Sequence, residues 1–270
     1  MVAWLRRMWD LLWREMGLRR GSSTPTQARI PVAQWVKEKL GFAPDEIQAR
    51  VLSTESKQGI LNCTRQWGKS TTAAAKAVHE AYTKSGSLTL VVSPSERQSA
   101  ELVRKAAEFT QRLGVRSKRD GHNSISLAFP NGARIVGLPG NETTTRGFSA
   151  VSLLLVDEAA RVTDGLYRAM RPMLAVSGGG LWLMSTPNGK QGFFYDTWER
   201  GGPEWERIRV TGYECPRIPN EFLDKERVLH GERGFRQEYL CEFGDVEGGV
   251  FDMDLVRRAF TEDVEPLVLR

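Results

Sequence analysis

Histidine and cysteine are scarce in this 270-residue chain, which has three of each. Cys63, Cys215 and Cys241 lie far apart and are odd in number, which argues against a disulfide framework and for a reducing compartment. With only His79, His122 and His230, and with neither a C-x-x-C nor an H-E-x-x-H spacing, the ligand pattern of a zinc site is missing. No run reaches the ~18 uninterrupted apolar residues of a membrane span, so no membrane partner is expected. Internal repeats and low-complexity tracts are also lacking. Lysine is sparse, with 28 arginines against ten lysines, and the net charge is +5. A planar guanidinium suits phosphate and carboxylate recognition, and an arginine-rich genome would produce the same excess. The charge permits a nucleic-acid partner without requiring one.

The N-terminus "MVAWLRRMWDLLWREMGLRR" is no export signal, because Arg6, Arg7, Asp10 and Arg14 interrupt any apolar core. Leu5, Met8, Leu12 and Met16 recur at helical spacing, so this stretch reads as an amphipathic basic helix that packs on the domain or docks on a partner protein rather than on lipid. "GSSTPTQAR" (21–29) breaks the periodicity as a linker. The expected organisation is therefore a helix and linker over 1–30, one main domain over 31–250, and the start of a further linker over 251–270.

From residue 58 apolar runs alternate with helical patterns, the order of a parallel sheet with crossover helices. "GILNC", "LTLVVS", "SLLLVDEA" and "LWLMST" read as buried strands, and "STTAAAKAVHEAYTKSG" as a helix closed by Gly86. "SISLAFPNGARIVGL" reads as a hairpin, because Asn131-Gly132 supplies the positive φ angles of a tight turn. Arg104, Lys105, Arg112, Arg116, Lys118 and Arg119 form a basic stretch with acids interspersed, read as a solvated helix face, with DNA phosphate contact as the sharper alternative.

The strand "GILNC" runs into "CTRQWGKST", residues 63–71, and an alanine-rich helix follows. A Gly-Lys-Ser at a strand-to-helix junction is the context of a phosphate-binding loop, in which backbone N–H groups and a helix N-terminus cradle phosphate. Gly68 would allow close approach, Lys69 would reach the β- and γ-phosphates, and Ser70 would hold Mg²⁺. Asp157, at the tip of a buried strand, would join that magnesium shell, and Glu158 would polarise the attacking water. Ser185 and Thr186 would sense the γ-phosphate, although Ser-Thr-Pro-Asn-Gly is also an ordinary turn. The fold class expected from this set is α/β, a P-loop NTPase of the RecA or ASCE kind with an N-terminal helical extension, and its activity is that of an ATPase using ATP and Mg²⁺.

These residues resemble the large terminase subunit, the ATPase that drives DNA packaging in tailed bacteriophages. "TRQWGKST" is similar to that family's divergent loop, "LLLVDEAARV" and "MSTPNGKQGFFYDTW" to its second and third motifs, and "RQEYLCEFGDVEGGVF" (236–251) to the segment closing its ATPase domain. The resemblance covers roughly residues 40 to 251 and implies that Cys63 is tolerated in place of the first glycine because Arg65 helps to order the phosphates. It assigns the nucleotide to the loop Cys63, Thr64, Arg65, Gln66, Trp67, Gly68, Lys69, Ser70 and Thr71, an adenine contact to Gln48, and an arginine finger acting in trans to Arg146. It implies self-association into a ring, double-stranded DNA held through phosphates without sequence specificity, portal and small terminase proteins as partners, and the host cytoplasm as location.

The family pattern usually continues into a nuclease with a two-metal acidic cluster. Here Asp252 and Asp254 stand without a following domain of that size, so no cutting activity is expected. Two other functions compete: a helicase-like ATPase of superfamily 2, which needs a second core, and a nucleotide-binding docking module without useful turnover.

Overall fold

The computed structural model describes residues 30–119, 121–140 and 147–245. The amphipathic helix expected near the N-terminus, Arg146, Asp252, Asp254 and the segment 251–270 lie outside the described residues. In chain order the helices are α1 (Val32–Leu40), α2 (Glu46–Ser53), α3 (Lys69–Thr83), α4 (Glu96–Arg112), α5 (Asp164–Met170), α6 (Gly192–Arg200) and α7 (Asn220–Glu238). The strands are β1 (Gln58–Cys63), β2 (Leu88–Ser93), β3 (Ser126–Ala128), β4 (Arg134–Pro139), β5 (Leu153–Asp157), β6 (Gly180–Ser185) and β7 (Trp205–Val210).

The seven strands form one mostly parallel sheet, as the alternating apolar and helical patterns predict, in the order β3-β4-β2-β5-β6-β1-β7. Only the β3–β4 pair is antiparallel; β1 pairs parallel with β6 and β7, and β2 with β4 and β5. The expected hairpin forms, but on a longer connection between the paired Ala128 and Arg134 in which only Gly132 (φ 81°) is left-handed; Asn131 instead accepts the Ala133 N–H on its side-chain oxygen at 3.1 Å. Every residue of β2 and β5 is buried, because helices cover both faces of a parallel sheet. Period-two alternation divides the core: Val91, Leu155, Trp182 and Met184 pack with α1 to α4, whereas Leu90, Leu154, Val156 and Leu183 pack with α5 and α6.

The alanines of α3 let it lie close on the sheet; Ala74, Ala75, Ala77 and Ala81 are fully buried. Beneath it, Gly59 of β1 pairs with Trp182 of β6, and a Cβ at position 59 would stand 2.4 Å from the indole. Glycine is needed in this strand because a ring occupies the space of its side chain. Lys76 of α3 lies 4.6 Å from the centre of the same ring and donates to the Val51 carbonyl at 3.0 Å.

The consequence of this topology is a crevice. The chain leaves β1 through α3 and crosses β6 and β5 to reach β2, so the carboxyl ends of β1, β6 and β5 lie side by side at a topological switch point, where α/β sheets bind ligands.

Candidate functional site

The loop from β1 to α3 has the shape its sequence predicts, by a different division of labour. Cys63 is still a strand residue, in register with Val210 of β7 and outside the positive-φ positions, so the first-glycine position of the loop needs no glycine here. The left-handed turns fall instead at Gln66 (φ 62°) and Gly68 (φ 96°). Gly68 caps α3 with no side-chain cap hydrogen bond, so the first turn of the helix presents unpaired N–H groups and the positive end of its dipole.

Lys69 is buried, and its Nζ donates to the carbonyls of Cys63 (2.8 Å) and Thr64 (2.9 Å), which folds the loop around its own ammonium. Ser70 Oγ donates to Asp157 Oδ2 at 2.9 Å, joining the start of α3 to the tip of β5 across β6. Burial is the main reason the Asp157 carboxyl titrates above its usual range; neighbouring Glu158 adds to the rise, while the Ser70 hydrogen bond and Lys69 oppose it. Glu158 adopts a left-handed backbone (φ 50°, ψ 42°), uncommon for a residue with a Cβ. Its Oε2 receives Arg161 Nη1 at 3.0 Å and Ser185 Oγ at 3.4 Å. Thr186 Oγ1 accepts from Arg161 at 3.3 Å, so both hydroxyls at the end of β6 lie in the shell around Glu158.

A cleft of about 570 Å³ opens over the loop, the start of α3, Glu158 and Arg161, while Asp157, Ser185 and Thr186 lie behind its lining. Among the expected residues, Gln48, Arg65, Gln66, Gly68, Lys69, Ser70, Thr71 and Glu158 line it. Its lining includes five cations, Arg65, Lys69, Lys105, Arg161 and Arg217, of which Arg65, Arg161 and Arg217 are also paired with Glu238, Glu158 or Asp45.

Several of the expected residues engage their side chains elsewhere. Cys63 and Trp67 are buried, at 0% and 1% exposure, and their side chains belong to the core rather than to the cleft. Burial also pushes the Cys63 thiol up, which makes it inert. Thr64 turns its hydroxyl to the Glu238 carbonyl at 3.1 Å and serves Lys69 only through its own carbonyl. Arg65 points to Glu238, with Nε 2.6 Å from Oε2. Gln48 is 1% exposed, accepts from the Asp45 N–H at 3.0 Å and donates to the Trp67 carbonyl at 2.8 Å. The basic stretch is not one face either, since Arg104 is held between Glu101 and Glu108 while Lys105 lines the cleft.

Sequence reasoning did not find Phe42, Asp45, Gln98, Arg161, Arg217 or Glu238. The D-x-x-Q of Asp45 and Gln48 is a legible capping box, and both of its hydrogen bonds are formed at the start of α2. Gln98 and Lys105 stand seven apart on α4, and Arg161 follows Glu158 by three. Nothing local marks Arg217.

Comparison with known proteins gives a consistent outcome. Residues 60–258 match the family model described as terminase large subunit, T4likevirus-type, N-terminal. The terminase large subunit of Thermus phage G20c is 25% identical over 252 residues, covering 79% of this chain and 51% of that protein. The chain thus spans about half the length of the curated relatives it matches. The large terminase ATPase domain of Thermus phage P74-26 superposes with a TM-score of 0.71 at 22% identity, over 80% of this chain and 100% of that one. The large terminase of another thermophilic bacteriophage, solved in complex with ADP, gives 0.63 at 13% identity, over 74% and 54%. At such identities the structural likeness establishes the fold, and the family rests on the match over 60–258, more than half of the sequence. The chain belongs to the terminase large subunit family, T4-like-virus type, within that family's N-terminal region.

Proposed function

We propose that this chain is an ATP-hydrolysing motor module that drives double-stranded viral DNA into a capsid. The observation that carries the reading is the 2.9 Å contact between Ser70 and Asp157, 87 residues apart, which brings the phosphate loop and the acidic strand tip to one point. Two relatives support the nucleotide: the P74-26 domain is described as an ATPase domain, and the second thermophilic phage protein was solved with ADP.

The uncapped start of α3, Gly68 and Lys69 bind and orient the triphosphate. Ser70 and Asp157 fit Mg²⁺, since a hydroxyl and a buried carboxylate already meet there and desolvation leaves the carboxylate in want of positive charge. When bound, Mg²⁺ neutralises charge on the phosphate oxygens. Glu158, fixed by Arg161 and Ser185, accepts the proton of the attacking water, and Ser185 and Thr186 tie the end of β6 to that event. Arg65, Gln66 and Thr71 complete the wall around the phosphates, and Gln48 and Phe42, which line the same cleft, are assigned to the base.

On the resemblance of "GNETTTRGFSA", our reading makes Arg146 a finger acting in trans in a neighbouring copy's cleft, within a ring that contacts DNA phosphates, with portal and small terminase proteins as partners in the host cytoplasm. Glu158→Gln tests the motor against the docking module. The variant is expected to bind ATP like wild type and to lose roughly 10²-fold or more of its hydrolysis, the usual worth of a general base. Undiminished turnover would remove Glu158 from the chemistry, and a wild-type protein with no ATP affinity would end the nucleotide reading.

A further inference from the structure

We infer that Arg217 is a positioning residue for the nucleotide's phosphates: with Gln48 it locks the Trp67–Gly68 peptide so that the Gly68 N–H is presented to them. The inference rests on the nucleotide reading above and concerns a residue outside every motif of the sequence.

Arg217 lies between β7 and α7, 150 residues from Trp67, yet its Nη2 donates to the Trp67 carbonyl. The same oxygen accepts from Gln48 Nε2 at 2.8 Å, so both of its lone pairs are filled. Arg217 Nη2 is also 3.0 Å from Asp45 Oδ2, while Asp45 Oδ1 accepts from the Gln48 N–H at 2.8 Å. Asp45, Gln48, the Trp67 carbonyl and Arg217 therefore close a ring of hydrogen bonds around one peptide group. The indole of Trp67, buried in the core, holds that peptide from its other side.

Peptide planarity turns this ring into a directional device. In a trans peptide the carbonyl and the following N–H point to opposite sides, so fixing the Trp67 oxygen aims the Gly68 N–H away from Arg217 and Gln48. Gly68 is the last loop residue before α3, and its left-handed φ of 96° makes it the joint that would otherwise swing. A Cβ on it would stand 2.9 Å from Gln48 Nε2 and 3.9 Å from Arg217 Nη2, so both donors lie beside this joint and Gln48 leaves no room for a side chain there. The device replaces the rigidity that a standard loop draws from local sequence, because in this chain the residues that hold the peptide come from α2 and from beyond β7.

The test is ATP titration calorimetry on wild type, Arg217→Ala, Arg217→Lys and Asp45→Asn, joined to the Gly68 amide resonance of nucleotide-free protein. Arg217→Ala is expected to weaken ATP binding about tenfold, the scale of one lost charge-assisted hydrogen bond. Asp45→Asn keeps every cleft cation and a good helix cap but loses the carboxylate that steadies Arg217, and it is expected to weaken binding about threefold. Arg217→Lys retains the charge without the planar fork and falls between wild type and Arg217→Ala. The Gly68 amide shifts in all three variants. A residue that merely adds positive charge gives the opposite pattern: Arg217→Lys binds like wild type, Asp45→Asn binds ATP more tightly, and the amide stays in place. Either result overturns the inference, and Asp45→Asn decides it should Arg217→Ala not fold. If wild type binds ATP and the variants bind it equally, Arg217's role alone fails; if wild type does not bind ATP, the nucleotide reading fails and the inference falls with it.

Discussion

Arg65 and Glu238 form an ion pair of 2.6 Å that closes the phosphate loop against the end of α7, and the other carboxylate oxygen reaches Arg161 at 3.5 Å. A triphosphate in the cleft competes with Glu238 for Arg65. Glu238→Gln is therefore expected to tighten ATP binding by about two- to fivefold, a modest gain because the Arg65 side chain is 62% exposed and exposed pairs are worth little. Raising the salt should shrink the difference. Unchanged or weaker binding at low salt would show that Arg65 does not serve the phosphates.

Gly68→Ala combines two costs. Alanine at φ 96° is strained by roughly 1–2 kcal/mol, and its methyl group would displace the Gln48 amide. Thermal scans are expected to show a loss of a few degrees. ATP titration should show at least about a tenfold loss of affinity, since a change of about 1.4 kcal/mol at the binding site is a factor of ten. Normal affinity would mean that the loop tolerates another shape.

Lys76 gives the pH prediction. Burial against α2 and the Trp182 ring lowers its ammonium from the usual 10.5 to about 8, so the folded chain holds fewer protons than the unfolded chain between those values. Stability contributed through Lys76 should rise with pH across that window, by at most about 1.4 kcal/mol per unit. Urea unfolding of wild type and Lys76→Met from pH 7.5 to 10.5 measures it. The difference between the two proteins should change with pH, and parallel curves would place Lys76 in solvent.

If Arg146 acts in trans, turnover per subunit should climb with protein concentration, because a shared site needs assembly. Arg146→Ala mixed with Lys69→Ala should recover activity that neither has alone, since one supplies an intact loop and the other an intact finger. The gain should be large, because such arginines are worth about 10³ to 10⁵ in rate. Flat specific activity and no rescue on mixing would remove Arg146 from the site.

What the sequence revealed divides along a physical line. Asp157 and Glu158 were legible because four apolar residues precede them and a buried strand must end where its polarity changes, and the hairpin was legible from Gly132, whereas the role of Asn131 was not, since it acts through its side chain and not through a positive φ. Lys69 and Ser70 were legible because strand, loop and helix follow one another without a break. The supports of the loop were not. Arg217 and Glu238 act on Trp67 and Arg65 over 150 and 173 residues, and no local pattern encodes a contact made only when β7 docks beside β1. Lys105 was misread because neighbours in sequence diverge on a helix: positions 98 and 105 face the cleft while Arg104 turns to Glu101 and Glu108. Trp67 was placed in the site by its position in the motif, and its size sent it into the core.

The two borders of the sheet limit how copies of this chain can join. Among the described residues one border is β3, only three residues long, and the other is β7, whose Glu206 is occupied by Arg50 while Arg207 is spent on carbonyls of α6 and of the turn after it. Short or charged borders resist strand-by-strand extension. If copies associate as proposed, their contacts are expected to run through side-chain surfaces rather than through a continued sheet.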